Sequence, residues 1–445
     1  MNRLVNRLAA FIALTALALV TAAPASAMTI EKIVSPSGIP AWLVREQTVP
    51  LITLNYAFHG GSSQDAPEKS GTANLAADLL DEGAGPLDGK TFHERMENHA
   101  IELGFRVGRD EFHGSLRALN EHREEAFDLL KLALTAPRFE PDAVERVRGQ
   151  ELSALRRDTT NPNTIASIQW WATAFPGHPY GLEGKGTLET LPRVTVDDMR
   201  DYIRRVFARN ELTISIVGDV DAKTAGELID RTFGSLPARN DLKQVVAATP
   251  RGLGRRIVIN LDVPQAVVNF GGQGLARSDP DFMAGYIVNH ILGGGSFSSR
   301  LYREVREKRG LAYGVSDSLV WFKRAAVVIG GTATQADRTS DALAIIEAET
   351  KRMADEGPTP EELAAAKSFL KGSYALSLDT SGKIAAQLTQ IQLDNLGIDY
   401  VTRRSSLIDA VTIGDAKRVA KRLFGGGMLV TVAGRPKGLS SVGTE

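Results

Sequence analysis

The sequence predicts an α+β protein built from two similar domains. Strand-like segments that end in glycine alternate with helix-like segments along the chain, and the same order of segments occurs twice. The 445 residues are too many for one ordinary hydrophobic core and suit two or more domains. An apolar content of 43% and a charged content of 24% are typical of a globular protein rather than a disordered one.

The first 27 residues have the features of a secretory signal peptide. Arg3 and Arg7 precede an apolar run over residues 8–20, and Ala25-Ser26-Ala27 has the small residues of a cleavage site. The apolar run is shorter than the roughly 20 residues that a membrane span requires, which argues against an anchor. We therefore expect cleavage after Ala27, a location in a bacterial periplasm, and no membrane association after cleavage.

The first half of the mature chain contains strands and helices in alternation. The predicted elements are the strands 52–58 and 212–217 and the helical segments 71–80, 91–102 and 120–158. The last helical segment is interrupted near Pro137 and Pro141, because proline breaks a helix interior. Thr195-Val196-Asp197-Asp198 has the form of a capping box, in which threonine and aspartate side chains bind free amides at a helix start.

The second half repeats this plan, with strands predicted at 266–270 and 428–433 and a helix at 281–292. Thr359-Pro360-Glu361-Glu362 and Thr412-Ile413-Gly414-Asp415 are further capping-box patterns. The interval from Pro141 to Pro360 is close to that from Thr195 to Thr412. Several matches in the same register favour an internal duplication.

The polar segment 237–254 contains proline and glycine and lacks strand or helix patterns, which indicates a linker. We therefore divide the chain into a signal peptide (1–27), an N-terminal domain (28–236), the linker (237–254) and a C-terminal domain (255–445). Each domain then has a plausible size for a single core.

Charge and residue content exclude several kinds of site. The 52 Lys and Arg residues against 53 Asp and Glu residues give no footprint for nucleic acid or an anionic membrane. The absence of cysteine excludes disulfides, thiol catalysis and Cys-ligated zinc. No two of the seven histidines are three or four residues apart, so no local helical zinc motif exists. The stretch His93-Glu94-Arg95-Met96-Glu97 lacks the second histidine of such a motif.

Gly293, Gly294, Gly295 and Ser296 lie between two helical segments. A glycine-rich turn before a helix can bind phosphate, but this one lacks the GK[ST] ending of a P-loop and the GxGxxG spacing of a dinucleotide site. We therefore favour a flexible interhelical loop over a phosphate site.

The stretch that begins there, GGGSFSSRLYREVREKRGLAYGVSDS at 293–318, resembles the pitrilysin/insulinase family of zinc metallopeptidases, including the mitochondrial processing peptidase type. FPGHPYG at 175–181 and NELTISIVGD at 210–219 resemble family sequence in the same order. The resemblance covers nearly the whole mature chain. It implies that each domain is a mainly antiparallel sheet packed with helices and that the two domains close as a clamshell.

The resemblance also implies that Arg306 and Tyr313 bind peptide substrate, with Gly293, Gly294 and Gly295 as the adjoining loop. A guanidinium can donate two hydrogen bonds to a carboxylate or peptide carbonyl, and a phenol can add a third as charge develops on that oxygen. From spacing alone, the simpler interpretation is that Arg306 is one charge of the exposed run REVREKR and that Tyr313 only packs.

The family's inverted zinc motif, H-x-x-E-H, is degenerate by this resemblance. Its two histidine positions correspond to Asn74 and Asp78, its general-base glutamate to Ala77, and its third ligand to Ala154. Alanine cannot ligate, asparagine is a poor zinc ligand, and a hydrolytic zinc site needs about three protein ligands. We expect no metal on this chain and zinc on a partner subunit that carries H-x-x-E-H.

The resemblance thus implies a non-catalytic, substrate-binding subunit of a periplasmic heteromeric zinc metallopeptidase that degrades peptides or unfolded proteins, as a heterodimer or larger complex. The alternatives are a structural or assembly subunit without a role in cleavage, and an autonomous peptidase with altered ligands. Family substrates add as a strand to a sheet edge, and the equivalent edge here is about 104–107.

Overall fold

The computed structural model describes residues 28–443 and consists of two halves, each a β-sheet covered by helices. It confirms the α+β fold with two similar domains and their clamshell arrangement. The predicted signal peptide lies outside the described residues. No helix within residues 28–443 is long and apolar enough to cross a membrane.

The first sheet has six strands in the order β1-β2-β8-β3-β7-β6. All neighbours are antiparallel except β2 and β8, which are parallel. The strands are β1 (Ile30–Val34), β2 (Pro40–Arg45), β3 (Leu51–His59), β6 (Glu102–Val107), β7 (Glu111–Leu119) and β8 (Leu212–Gly218), with a small separate ribbon of β4 (Gly83–Ala84) and β5 (Leu87–Asp88). The helices of this half are α1 (Thr72–Ala77), α2 (Gly89–Asn98), α3 (Arg123–Thr135), α4 (Pro141–Asp158), α5 (Pro162–Ala174), α6 (Val196–Val206) and α7 (Ala222–Phe233).

The second sheet has five strands in the order β11-β12-β10-β13-β9, and only β13 and β9 are parallel. The strands are β9 (Arg256–Asn260), β10 (Gln265–Gln273), β11 (Ala312–Trp321), β12 (Ala326–Gln335) and β13 (Leu429–Gly434). The helices are α8 (Phe282–Asn289), α9 (Thr339–Glu356), α10 (Pro360–Gly372), α11 (Ser381–Leu393), α12 (Tyr400–Ala410) and α13 (Ile413–Phe424). The order and directions match those of the first sheet without β1, which supports the predicted internal duplication.

The two halves exchange one helix each. Helix α5 of the N-terminal half packs on β10 and β13, where Trp170 Nε1 donates to the Leu429 carbonyl at 3.1 Å and Thr431 Oγ1 donates to the Ala166 carbonyl at 2.8 Å. Helix α11 of the C-terminal half packs on β3 and β8, where Thr389 and Ser215 hydroxyls lie 3.1 Å apart. Each sheet is therefore covered on one face by a helix from the other half, and apolar clusters that contain residues of both halves form at these two contacts.

Local signals predicted many elements correctly. All three capping boxes form, at Thr195 with Asp198, Thr359 with Glu362, and Thr412 with Asp415. These pairs depend on four consecutive residues only, which is why the sequence alone reveals them. The predicted central strands are present as β3, β8, β10 and β13.

The predicted helix at 91–102 is wrong at its C-terminal end. Helix α2 stops at Asn98, Ala100 adopts a positive φ of 49°, and Glu102 already begins strand β6. The alternating apolar residues Leu103, Phe105 and Val107 pack together against the first core, and this period of two indicates a strand. The predicted substrate-binding edge near 104–107 is therefore an edge strand.

The segment predicted as a linker has no helix or strand between Phe233 and Arg256. It is nevertheless held on both sides. The Lys243 amide donates to Gln64 Oε1 at 2.7 Å in the first half, and the Ala248 amide donates to the Arg324 carbonyl at 2.9 Å in the second. The exact domain boundaries remain predictions.

Candidate functional site

Arg306 lies on a short π-helical segment, Tyr302–Glu307, that precedes strand β11. The Lys308 amide donates to the Arg303 carbonyl at 2.9 Å, which is the wider hydrogen-bond spacing of a π-turn. Gly310 then adopts a φ of 59°, a left-handed conformation that glycine takes without strain, and ends the segment. Such π-turns occur often at functional sites.

Tyr313 lies on a β-bulge at the free edge of the second sheet. Ala312 pairs with Thr334 and Val315 with Thr332, so two residues of β11, Tyr313 and Gly314, oppose one residue of β12. The bulge turns both residues outward, and 85% of Tyr313 is exposed. Because β11 has no neighbour on its outer side in the described sheet, this edge has backbone groups available for pairing.

The guanidinium of Arg306 stacks between two aromatic rings. Its central carbon is 4.4 Å from the Tyr313 ring centroid and 5.0 Å from that of Tyr302. Sequence reasoning missed Tyr302, although its position four residues before Arg306 was a usable signal, because residues at this spacing share a helix face.

The other cations of the run REVREKR are paired. Arg303 contacts Glu362 at 3.4 Å, and Lys308 and Arg309 each contact Glu304 at 2.7 Å. Arg306 has no ion pair with any residue in the described range 28–443. Its hydrogen-bond donors are therefore available to a ligand.

Gly293 and Gly294 are not part of the flexible loop that the sequence suggested. They lie in a π-helical turn, His290–Gly294, packed against strand β11. A Cβ on Gly293 would lie 2.6 Å from Asp317 Oδ1, so the close approach requires glycine. Gly295 closes the turn by donating its amide to the His290 carbonyl at 2.8 Å.

Asp317 lies beneath this turn and is only 2% exposed. Asn289 Nδ2 donates to its Oδ1 at 2.7 Å, and its Oδ2 has no hydrogen-bond partner. Burial raises the pKa of Asp317 to about 8, although the Asn289 hydrogen bond opposes the shift. The base of the glycine turn therefore contains a carboxyl group that is protonated at neutral pH.

The four degenerate zinc positions lie on helices α1 and α4. Asn74 uses its side-chain amide to donate to the Gly184 carbonyl at 2.7 Å, and Ala77 is buried. Asp78 caps the end of α1, and partial burial raises its pKa to about 6, with the negative charge of Glu151 adding to the shift. Ala154 is half-buried on α4 and offers no ligand.

These four residues are not suited to hold the zinc ion that an intact H-x-x-E-H motif binds. Two of the four positions are alanine, and the Asn74 amide is already engaged with a backbone carbonyl. Residues 28–443 contain no group of three or more His, Asp or Glu side chains arranged to hold a metal ion.

Comparison with known families identifies the fold. Residues 43–186 match the sequence profile of the insulinase family, peptidase family M16, and residues 193–370 match that of the peptidase M16 inactive domain. This chain belongs to the M16 peptidase family. Together the two profiles cover most of the mature chain.

Relatives within the M16 family carry mixed names. A Helicobacter pylori protein named non-peptidase homolog YmxG is 28% identical over 80% of this chain and 82% of its own length. An uncharacterized zinc protease of Streptomyces coelicolor is 26% identical over 89% of this chain and 88% of its own. A crystal structure titled as a peptidase M16 inactive domain from Pseudomonas fluorescens has a TM-score of 0.86 and 26% identity, and covers 92% of this chain and 98% of its own.

Proposed function

We propose that this chain is the non-catalytic, substrate-binding subunit of a periplasmic heteromeric zinc metallopeptidase. Its partner is a second M16-family chain that carries H-x-x-E-H and holds the zinc ion. In the complex, Arg306 and Tyr313 bind the backbone of a peptide substrate that the partner cleaves. The degenerate residues Asn74, Ala77, Asp78 and Ala154 support the absence of zinc chemistry here, as does the name of the Helicobacter pylori relative.

The observation that carries this proposal is the unpaired state of Arg306. Neighbouring cations in the same run are neutralised by Glu304 and Glu362, whereas Arg306 is held between two rings with its donors free. This argues against the simpler interpretation of Arg306 as one charge on a solvated surface. A stacked guanidinium loses less rotamer freedom on binding, so it suits a peptide carbonyl or carboxylate.

A structural or assembly subunit without a role in cleavage is the second candidate. The exchange of helices α5 and α11 joins the two halves through direct contacts, which would serve a scaffold equally well. A scaffold, however, gains nothing from an exposed tyrosine on a bulged sheet edge next to a free arginine. The exposed pair therefore favours the peptidase-subunit proposal.

Co-purification tests the proposal at the level of the complex. The chain is tagged and isolated from its native host, and peptidase activity is measured for the chain alone, for the H-x-x-E-H partner alone and for the mixture. We expect stable association and activity only in the mixture. A partner that is equally active alone would contradict the role of this chain in cleavage.

Metal analysis separates the proposal from an autonomous peptidase with altered ligands. The isolated chain is dialysed against zinc and its content measured, with Asp78→Ala as the matched variant. We expect substoichiometric zinc in both proteins, since one carboxylate cannot hold the ion. One equivalent of zinc that disappears in Asp78→Ala would overturn the assignment as a non-catalytic subunit.

A further inference from the structure

The C-terminal half contains a cavity of about 310 Å³ that the proposed function does not use. It lies between α8, the end of β11, α11 and α12, and the short turn Ala375–Leu378 forms one wall. Five aromatic side chains line it: Phe282, Tyr286, Trp321, Tyr374 and Tyr400. We call this cavity the aromatic pocket; its volume is at the small end of the range for ligand sites.

Two arginines also line the aromatic pocket, and their charges are balanced differently. Arg277 lies 3.8 Å from Asp394 and donates to the Tyr400 hydroxyl at 2.8 Å. Arg404 is only 7% exposed and donates to the Leu370 carbonyl at 2.8 Å, but no carboxylate within the described chain forms an ion pair with it. Burial of an unpaired cation is unfavourable, so the pocket carries an excess positive charge that calls for an anion.

A second group in the aromatic pocket also lacks a partner. The Tyr374 hydroxyl is buried and makes no hydrogen bond, while its ring centroid lies 4.3 Å from the Arg404 guanidinium. Buried polar atoms in native proteins nearly always have a partner, so an exception calls for an explanation, and contact with a ligand is one explanation. The orphaned hydroxyl and the unpaired guanidinium are neighbours, so one anionic group could satisfy both.

We propose that the aromatic pocket binds a small aromatic carboxylate. The carboxylate accepts hydrogen bonds from Arg404 and from the Tyr374 hydroxyl, and the ligand's ring packs among Phe282, Tyr286 and Trp321. A monoanion fits because Arg277 is already balanced by Asp394, which leaves one positive charge. The ligand is either a free aromatic acid or the C-terminal residue of a peptide, since both present the same chemistry.

This site goes beyond the proposed role of Arg306 and Tyr313 and does not require a partner subunit. It adjoins a larger cavity of about 570 Å³ between the two halves, with which it shares Arg277, Trp321 and Asp394. Because the aromatic pocket lies within this chain, binding can be measured on the isolated protein. An absence of binding there would leave the peptidase-subunit proposal untouched.

Titration calorimetry with N-acetyl-L-phenylalanine tests the proposal, and N-acetyl-L-phenylalaninamide is the matched neutral probe. We expect saturable binding of the acid and at least about tenfold weaker binding of the amide, because the amide lacks the charge that Arg404 requires. Absence of binding of the acid up to about 10 mM, or equal binding of the two probes, would overturn the proposal.

Two variants locate the site. Tyr374→Phe should bind the acid about tenfold more weakly without a fall in melting temperature, because the hydroxyl has no partner to lose in the free protein. Arg404→Lys keeps the charge but loses the planar fork, so it should also bind more weakly, and Lys308→Ala, which lies outside the pocket, should bind as the parent does. Parental affinity in Tyr374→Phe would overturn the proposal.

A tetrapeptide that ends in phenylalanine with a free carboxylate distinguishes the two sources of ligand. Tighter binding than N-acetyl-L-phenylalanine supports peptide ends as the occupant, and weaker binding supports free aromatic acids. If neither the tetrapeptide nor N-acetyl-L-phenylalanine binds, the proposal is contradicted.

Discussion

The Arg306 guanidinium stacks on the ring of Tyr313, with 4.4 Å between its central carbon and the ring centroid, where a π-turn meets the bulged edge strand β11. Neither residue contributes to the hydrophobic core, and Tyr313 is largely exposed. Their arrangement is instead maintained by neighbouring features, namely Gly310, the bulge and the glycine turn above Asp317.

The helix exchange predicts that the two halves unfold together. Trp170 is fully buried and connects α5 to the second sheet through the Leu429 carbonyl, so Trp170→Ala should lower the free energy of unfolding by about 3–5 kcal/mol. Ile168→Ala on the same helix is the control, since Ile168 is 37% exposed and should lose much less. Urea unfolding followed by circular dichroism measures both. Two separated transitions in the parent protein would contradict interdependent halves.

A Gly→Ala substitution in the glycine turn and one in helix α4 should have opposite effects on the free energy of unfolding. In Gly293→Ala the new Cβ would lie 2.8 Å from the Asp317 backbone nitrogen, so we expect a loss of about 1–3 kcal/mol in unfolding free energy. Gly149 lies within helix α4 with nothing within 4 Å of a Cβ, so Gly149→Ala should stabilise by about 0.5–1 kcal/mol. Similar effects of the two substitutions would contradict the close packing described for the turn.

The buried carboxyl of Asp317 predicts a pH dependence with a defined sign. Its pKa is raised from 3.8 to about 8 by burial, so between these values the folded chain keeps a proton that the unfolded chain has released. This contribution to stability is complete below about pH 4 and is lost as the pH rises through 8.

Asp317→Asn removes this titration while keeping the shape of the side chain. The difference in unfolding free energy between parent and variant should therefore shift in favour of the variant as the pH rises from about 5 to about 8, measured by urea unfolding at several pH values. A constant difference over that range would show that Asp317 is ionised in the folded protein.

Local sequence signals determined much of the fold. Capping boxes such as that of Thr412 with Asp415 and apolar central strands such as β8 involve contiguous residues, so their positions could be predicted. The exchange of α5 and α11 could not, because it depends on contacts between residues such as Thr389 and Ser215 that are far apart in sequence. The helix predicted at 91–102 extends into the first residue of edge strand β6, Glu102, because the turn at Ala100 between the two elements leaves no clear local signal.

Some features of the candidate site could likewise be predicted from the sequence, whereas others depend on tertiary contacts. The identity of the residues at positions 74, 77, 78 and 154 is visible in the sequence, and so is the spacing between Arg306 and Tyr313. Which cations of the run around Arg306 are paired could not be predicted from the sequence. Arg303, for example, could reach Glu307 at a helical spacing but instead contacts Glu362 on another helix. The bulge that exposes Tyr313 likewise depends on the register between β11 and β12.

The most direct test of the central claim is kcat/KM for peptide cleavage by the reconstituted pair, with the parent chain and with Arg306→Ala, Tyr313→Phe and the control Lys308→Ala. Lys308 is an exposed neighbour whose partner Glu304 retains Arg309. Unfolding free energies should stay within about 0.5 kcal/mol of the parent, since these side chains are at the surface.

Loss of a charged hydrogen-bond donor at the substrate costs about 1.5–3 kcal/mol, so Arg306→Ala should lower kcat/KM about tenfold to a hundredfold. Tyr313→Phe should lower it by a smaller factor, and Lys308→Ala should leave it unchanged. Equal kcat/KM for the parent chain, Arg306→Ala and Tyr313→Phe would contradict the claim that this subunit binds the substrate for its partner.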